Sequence, residues 1–232
     1  IGIVQGKVSL HEDVLNERRE RVRAKSQERR KKLESALLAE RQTGTLTANI
    51  AAAELANLLP QNGNFAIVNE AVSNAAAFSN YIPMWEPNHY TAGKGGGLGH
   101  GASQAVGAAL AERQRTVVAV IGDGTFLYYP QVLYSAVNVN ARVLYLVVNN
   151  RAYHVLKTGL QSIKSLGAPL GSAPLPCLDL DGPVDLVKMA ESYGVPAERA
   201  SSIEELPAAL RRGLNAAGPY LIDMIVTEKT GG

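Results

Sequence analysis

The sequence predicts an α/β protein built on a doubly wound, mostly parallel sheet flanked by helices and preceded by a charged linker helix. Three observations carry this expectation. Four short apolar runs rich in β-branched residues recur between positions 65 and 226, and each has the length of a buried strand. Stretches with helical patterning lie between them. Glycine, aspartate and asparagine clusters follow two of the runs directly, at the rim where such sheets hold their ligands.

The elements follow in order. From His11 to Gln42 the chain is charged and free of Pro and Gly, so a helix is expected. Its apolar residues Leu15, Val22, Leu33, Leu37 and Leu38 make no continuous seam, which predicts a solvated helix joining two domains rather than a coiled coil or RNA-binding arm. Thr47 to Leu59 reads as an amphipathic helix. Strands are expected at Phe65–Val68, Thr116–Ile121, Arg142–Val148 and Tyr220–Val226. Helices are expected near Ser73–Asn80, Gly101–Glu112, Tyr129–Val137, Val184–Tyr193 and Ile203–Asn215. Tyr81 to Lys94 reads as loop, since Pro83 and Pro87 oppose a strand there.

Composition narrows the class. The 232 residues are 46% hydrophobic and 19% charged, enough to bury a substantial core. Residues 1–42 carry 11 Lys+Arg against 7 Asp+Glu while the remainder is slightly acidic, which argues against a nucleic-acid binder. Cys177 is the only cysteine, so neither an internal disulfide nor a structural zinc cluster is expected. No apolar run approaches the roughly 18 residues of a membrane span, and nothing at the start resembles a signal peptide. These features predict a cytoplasmic protein without a membrane partner. The opening at Ile1, without an initiator methionine, predicts a piece of something longer.

Three clusters can carry chemistry. Gly93 to Leu110 (GKGGGLGHGASQAVGAAL) leads clustered glycines into a small-residue helix, where backbone can pass close to a ligand. Gly97 to Ala102 satisfies a loose dinucleotide pattern, but a nicotinamide fold needs a preceding strand and an acid about 20 residues later; neither is expected here. Asp123 stands between Gly122 and Gly124 at a strand end, placed to reach a metal while N–H groups meet phosphate oxygens. Asn149-Asn150 ends the next strand. Adjacent strand ends meet at one rim, so Asp123 and Asn150 together specify an oxygen-lined magnesium site completed by a diphosphate.

The G-D-G and N-N pair, with IVNEAVSN, GGGLGHGASQAVGAALAERQRTVVAVIGDG, LYSAVNVNARVLYLVVNNRAYHVLK and the tail through GPYLIDMIV, resembles the C-terminal, diphosphate-binding domain of thiamine-diphosphate enzymes related to benzoylformate decarboxylase. The resemblance runs from about Asn62 to Val226. It implies the thiamine-diphosphate-binding fold over 46–232, with 1–45 as the end of a middle domain plus its linker helix. It further implies that Asp123, the side-chain oxygen of Asn150 and the carbonyl of Ala152 bind Mg²⁺. Gly122, Gly124, Thr125 and Ser73 would surround the diphosphate, and Gly97 belongs to the same glycine loop. Leu98 would wedge the cofactor into its bent shape, the Gly96 carbonyl would accept from its aminopyrimidine, and Tyr153 and Leu156 would line the site.

The same resemblance implies chemistry on a small 2-keto acid or acyl substrate, as a C–C lyase or decarboxylase. Acetolactate-synthase-like carboligation and 2-hydroxyacyl thioester cleavage are the alternatives, the former usually bringing a flavin. A non-catalytic oligomerisation module is the reading from a different class, against which the intact Asp123 and Asn150 count. Relatives activate the cofactor with a glutamate on an N-terminal pyrimidine-binding domain reached across a subunit interface. A partner of that kind is therefore expected, on another chain or a missing segment, within a homo- or hetero-oligomer (dimer or tetramer). No residue here takes the activating role, Glu70 included. Ala92 and Gly159 stand where aryl-acid decarboxylases carry aromatic side chains, which predicts a wider pocket. His100 and His154 flank the cofactor loops as candidate acid–base groups. His89 reads as part of the loop before the glycines, Lys94 and Lys157 as solvated surface positions, Trp85 as a packing residue and Cys177 as an inert thiol.

Overall fold

A computed structural model of the chain describes residues 12–84, 86–93, 96–165 and 177–227. His11, Trp85 and Lys94, on which expectations rested, lie outside them. The chain divides into two compact units with the break after Thr43.

The first unit is helix α1, Glu12–Gln42, about 46 Å long at 1.5 Å per residue. It opens on the acids Glu12 and Asp13 and carries Arg41 in its last turn, the charge order that complements a helix dipole. Pairs such as Arg23–Glu20 at 2.9 Å and Lys32–Glu28 at 2.7 Å lie along its exposed surface, and each contributes only about 0.3–0.5 kcal/mol. The expected solvated helix is thus observed.

The second unit begins with α2, Ala48–Leu58, whose N-cap Thr47 accepts a hydrogen bond from the Ile50 amide at 3.2 Å. Strand β1 spans Phe65–Glu70. A 3₁₀ turn, Val72–Asn74, then leads into α3, Ala75–Tyr81. After β2, Tyr90–Ala92, come α4, Gly101–Ala111, and β3, Thr116–Gly122. Next are the single-turn α5, Asp123–Phe126, then α6, Val132–Asn138, and β4, Val143–Asn149. The remaining elements are α7, His154–Ser165, α8, Leu186–Ser192, β5, Ala197–Ala200, α9, Leu206–Asn215, and β6, Tyr220–Ile225.

Among the described residues all six strands are parallel, in the order β2-β1-β3-β4-β6-β5. Alternate strand residues serve two cores. Ala66, Val68, Val117, Ala119, Ile121, Tyr145 and Val147 pack with α4, α6 and α8 through Ala105, Leu133, Ala136 and Ala190. Ile67, Val118, Val120, Leu144, Leu146 and Ile222 are equally buried on the alternate positions, the side that α2, α3 and α9 cover. This is the doubly wound sheet that the sequence predicts.

Two strands were not expected. Tyr81–Lys94 is not all loop, because Tyr90–Ala92 pairs in parallel with Ile67–Asn69. A strand does precede the glycine cluster, contrary to the argument from Pro83 and Pro87, since both prolines lie upstream of the paired residues. Strand β5 carries Glu198 and Arg199, a composition that an edge position tolerates and periodicity misses. His89 lies in the loop just before β2, as the sequence predicts. It is 2% exposed, with its ring stacked on Phe65 at 4.5 Å between centroids.

Candidate functional site

The chain steps from β1 outward to β2, then reverses to β3 on the other side of β1. Open α/β sheets leave a crevice at such a reversal, beyond the carboxyl ends of the strands. A cleft lies there, with about 390 Å³ of unfilled space partly open to solvent. Its lining comes from the ends of β1 and β3 (Ala71, Val72, Ser73, Gly122, Asp123, Gly124, Thr125), from the end of β4 and the start of α7 (Val148, Asn150, Ala152, Tyr153, His154), and from Leu98.

The strand ends and loops that the sequence singled out therefore converge. Gly96, Gly97, His100 and Leu156 do not line the cleft, and Ser73 sits in the 3₁₀ turn rather than at a helix start. Asn74, Tyr128 and Val72 line it and were missed. Asn74 and Val72 flank the expected Ser73, and Tyr128 follows the G-D-G-T turn by three residues, so proximity in sequence was the available signal. Val72 is β-branched yet has φ +50°, a conformation that side chains of this kind rarely adopt and that concentrates at functional sites.

Asp123 is the centre of the cleft's chemistry. It is 6% exposed, its Oδ1 accepts from the Gly124 amide at 2.8 Å, and its Oδ2 is buried without a hydrogen-bond partner. Burial pushes its carboxyl up to about 6, while the N–H groups of Gly124, Arg151 and Ala152 pull the other way. Across the cleft, the Asn150 Oδ1 accepts from the Ala152 amide at 3.1 Å, closing a turn in which Arg151 has φ +56°. The Ala152 segment is clamped to 178–180 by Tyr153 N–H to the Leu178 carbonyl, 2.9 Å, and Leu180 N–H to the Arg151 carbonyl, 2.8 Å. Asp123, Asn150 and Ala152 share the cleft lining, and a carboxylate oxygen, an amide oxygen and a main-chain carbonyl drawn from them would make an all-oxygen donor set of the kind that suits a hard cation such as Mg²⁺. Among the described residues there is no group of three or more His, Cys, Asp or Glu that could hold a metal, so an external oxygen donor would have to complete the shell.

Tyr153 leans over Gly124, whose added Cβ would lie 2.8 Å from the ring's Cδ1. Burial first, then the neighbouring Tyr128 and Asp123, raise its phenol above the ordinary tyrosine value, leaving it a hydrogen-bond donor at neutral pH. Gly99 has φ +90° and lies against the Tyr129 ring, so a side chain there meets both strain and a clash.

Glu70 holds the glycine loop. Its buried carboxylate accepts from the amides of Gly99 at 3.0 Å, His100 at 3.3 Å and Gly101 at 2.8 Å, and its Oε1 lies 2.7 Å from the His100 Nδ1. This carboxylate caps the start of α4 from another strand, a role consistent with denying it the activating one. It also explains the outward position of His100. Glu70→Ala strands three amides and is expected to cost about 3 kcal/mol, against about half that for Glu70→Gln, measured by urea unfolding. Equal stability of the two variants would remove the capping role. Lys157 likewise has a carboxylate partner, Asp179, and Cys177 is exposed in its loop with φ +64°.

Comparison with known proteins agrees with this geometry. Residues 71–224 match the family described as thiamine pyrophosphate enzyme, C-terminal TPP binding domain. The chain is 35% identical over 167 residues to the benzoylformate decarboxylase of Pseudomonas aeruginosa, covering 72% of this chain and 30% of that protein. It is 34% identical over 155 residues to the acetolactate synthase of Bacillus subtilis, covering 66% and 26%. Among solved structures, the thiamine diphosphate-dependent 4-hydroxybenzoylformate decarboxylase of Rhodococcus jostii superposes with a TM-score of 0.72 at 30% identity, over 81% of this chain and 34% of that one. The chain thus spans about a third of the length of these relatives. With an orphaned carboxylate at the sheet's reversal, a family match over those same strand ends and a shared fold, the chain belongs to the thiamine pyrophosphate enzymes and carries their C-terminal TPP binding domain.

Proposed function

We propose that the cleft binds the diphosphate end of thiamine diphosphate through Mg²⁺, and that the chain is the cofactor-holding part of a C–C lyase or 2-keto acid decarboxylase. The observation that carries this is the buried, partnerless Oδ2 of Asp123 facing the Asn150–Ala152 turn. Asp123, the Asn150 side-chain oxygen and the Ala152 carbonyl would hold the cation. Gly122, Gly124, Thr125 and Ser73 would meet the diphosphate. Leu98, at the cleft, would bear on the middle of the cofactor, with the Gly96 carbonyl, Gly97, Tyr153 and Leu156 on its outer side. When bound, thiamine diphosphate supplies an electron sink for breaking or forming a bond next to a carbonyl. His154, in the cleft lining, is the better placed of the two candidate histidines to move a proton there; the His100 imidazole is engaged with Glu70.

The apolar side chains around the cleft, Leu98, Tyr128, Tyr129, Val155 and Leu156, are each close to half exposed. Large exposed apolar side chains, three of which line the cleft, favour a protein interface. They support a pyrimidine-binding domain as the covering partner, on another chain or segment, in a dimer or tetramer. Titration of the purified chain with thiamine diphosphate tests the site: uptake is expected only with Mg²⁺ present, and uptake that ignores the cation would sink the reading.

The substrate side favours an acyl group larger than benzoylformate's. A Cβ at Gly159 meets nothing within 4 Å. Gly159→Phe is therefore expected to fold normally and, in the assembled enzyme, to improve kcat/KM for aryl 2-keto acids relative to bulkier ones. An unchanged preference would mean that α7 does not border the acyl pocket.

A further inference from the structure

Three strands, β4, β6 and β5, carry a polar ladder across one face of the sheet. Arg199 on β5 is the register partner of Asp223 on β6, and Asp223 is the partner of Val147 on β4. Asn149 lies two residues beyond Val147, so it shares Val147's face and stands diagonal to Asp223. The contacts follow. The Arg199 Nε donates to the Asp223 Oδ2 at 2.9 Å, and the Asn149 Nδ2 donates to the Asp223 Oδ1 at 2.8 Å. Asp185, the N-cap of α8, accepts from the same guanidinium at 3.1 Å. Asp223 is 1% exposed, between the fully buried Ile222 and Met224.

Asp223 is buried while Arg199 is 43% exposed, so the pair contributes little net stability, and its interest lies in the hydrogen bonds that it orients. Here the geometry has a direction. A carboxylate only accepts, so the Asn149 amide must turn its NH₂ toward Asp223. That leaves the Asn149 Oδ1 for the Arg151 amide, which donates to it at 3.1 Å. Arg151 is held at φ +56°, a left-handed conformation that non-glycine residues rarely adopt. The residues on either side of it, Asn150 and Ala152, line the cleft.

We propose that Asp223, acting through Asn149 and braced by Arg199, is a positioning residue that holds the Asn150–Arg151–Ala152 turn in the form that receives the cation. The proposal rests on the reading of Asn150 and Ala152 as Mg²⁺ donors. Its test is Mg²⁺ affinity of the full chain by calorimetry, the cation being titrated in with thiamine diphosphate in excess in the solution. Asn149→Ala leaves the Arg199–Asp223 pair in place and is expected to weaken Mg²⁺ about tenfold, within the range for residues that orient metal ligands. Arg151→Gly added to that variant is expected to recover most of the loss, because glycine takes positive φ without strain. Asp223→Asn, which lets the Asn149 amide flip, is expected to fall between. Mg²⁺ affinity within twofold of wild type in both Asn149→Ala and Asp223→Asn, or a loss that Arg151→Gly leaves untouched, overturns the positioning role. If wild type itself binds no Mg²⁺ with the cofactor, the site assignment falls and this proposal with it; binding that Asp123→Ala abolishes but Asn149→Ala spares overturns the positioning role alone.

Discussion

Asp123→Asn is expected to abolish Mg²⁺-dependent binding of thiamine diphosphate while making the cofactor-free protein more stable. The two effects have one cause. The buried Asp123 carboxylate has one oxygen without a partner, and burial raises its pKa from 3.8 to about 6. Below about pH 4 the group is protonated in both folded and unfolded chains and contributes nothing. Between about pH 4 and 6 the folded chain keeps a proton that the unfolded chain has lost, so stability falls as pH rises. Above pH 6 both states are ionised and the penalty is constant, about 3 kcal/mol from the shift. An asparagine keeps the oxygen that accepts from the Gly124 amide and removes the charge.

Urea unfolding without cofactor should therefore show the variant about 3 kcal/mol more stable than wild type at pH 7.5, with the difference vanishing below about pH 4. Adding Mg²⁺ and thiamine diphosphate should reverse the order, since only wild type gains the binding energy. A loss of affinity of at least about 100-fold is expected for a direct ligand. Wild-type affinity should itself fall about tenfold per pH unit below pH 6, where a proton competes with the cation for Asp123. An Asp123→Asn variant that binds the cofactor like wild type would end the metal assignment. One that is no more stable at pH 7.5 would show that the apo carboxylate is better solvated than its burial implies.

How much of this was legible in the sequence depends on whether a residue acts through its own backbone position or through a partner. The four long strands carry β-branched runs buried on both faces, so composition alone revealed them. Asp123, Asn150 and Ala152 follow strand ends, and a parallel sheet brings strand ends to one rim whatever the intervening text. The edge strands Tyr90–Ala92 and Ala197–Ala200 are three and four residues long, too short for periodicity. Glu70 and Asp223 were illegible for a different reason. Their roles depend on amides and side chains 24 to 74 positions away, which no local pattern encodes. The loop position of His89 was legible, but its burial was not, because it depends on the pairing with β1 that carries the ring onto Phe65.

Gly124→Ala is the second variant with a large expected effect, and it acts through shape rather than charge. The new Cβ would lie 2.8 Å from the Tyr153 Cδ1 and 3.3 Å from the Leu180 Cδ1. The backbone of both neighbours is held, because the Tyr153 and Leu180 amides are tied to the Leu178 and Arg151 carbonyls, so relief must come from side-chain rotation or from the Gly124 turn. The clash is relieved by swinging the Tyr153 ring into the cleft or by shifting Gly124 and Asp123. Either movement displaces groups that line the cofactor's space. Over-packing of this kind costs about 1–3 kcal/mol in stability, and thiamine diphosphate affinity is expected to fall by at least about tenfold in the same calorimetric titration. The double variant Gly124→Ala/Tyr153→Ala separates the two routes. Removing the ring should restore most of the affinity if the ring is what blocks the cleft, giving a coupling of about 1 kcal/mol or more between positions in contact. Failure to recover would locate the damage in the displaced Gly124 amide, whose contact with Asp123 then becomes the feature that the glycine protects. Binding unchanged in Gly124→Ala alone would remove this turn from the diphosphate site.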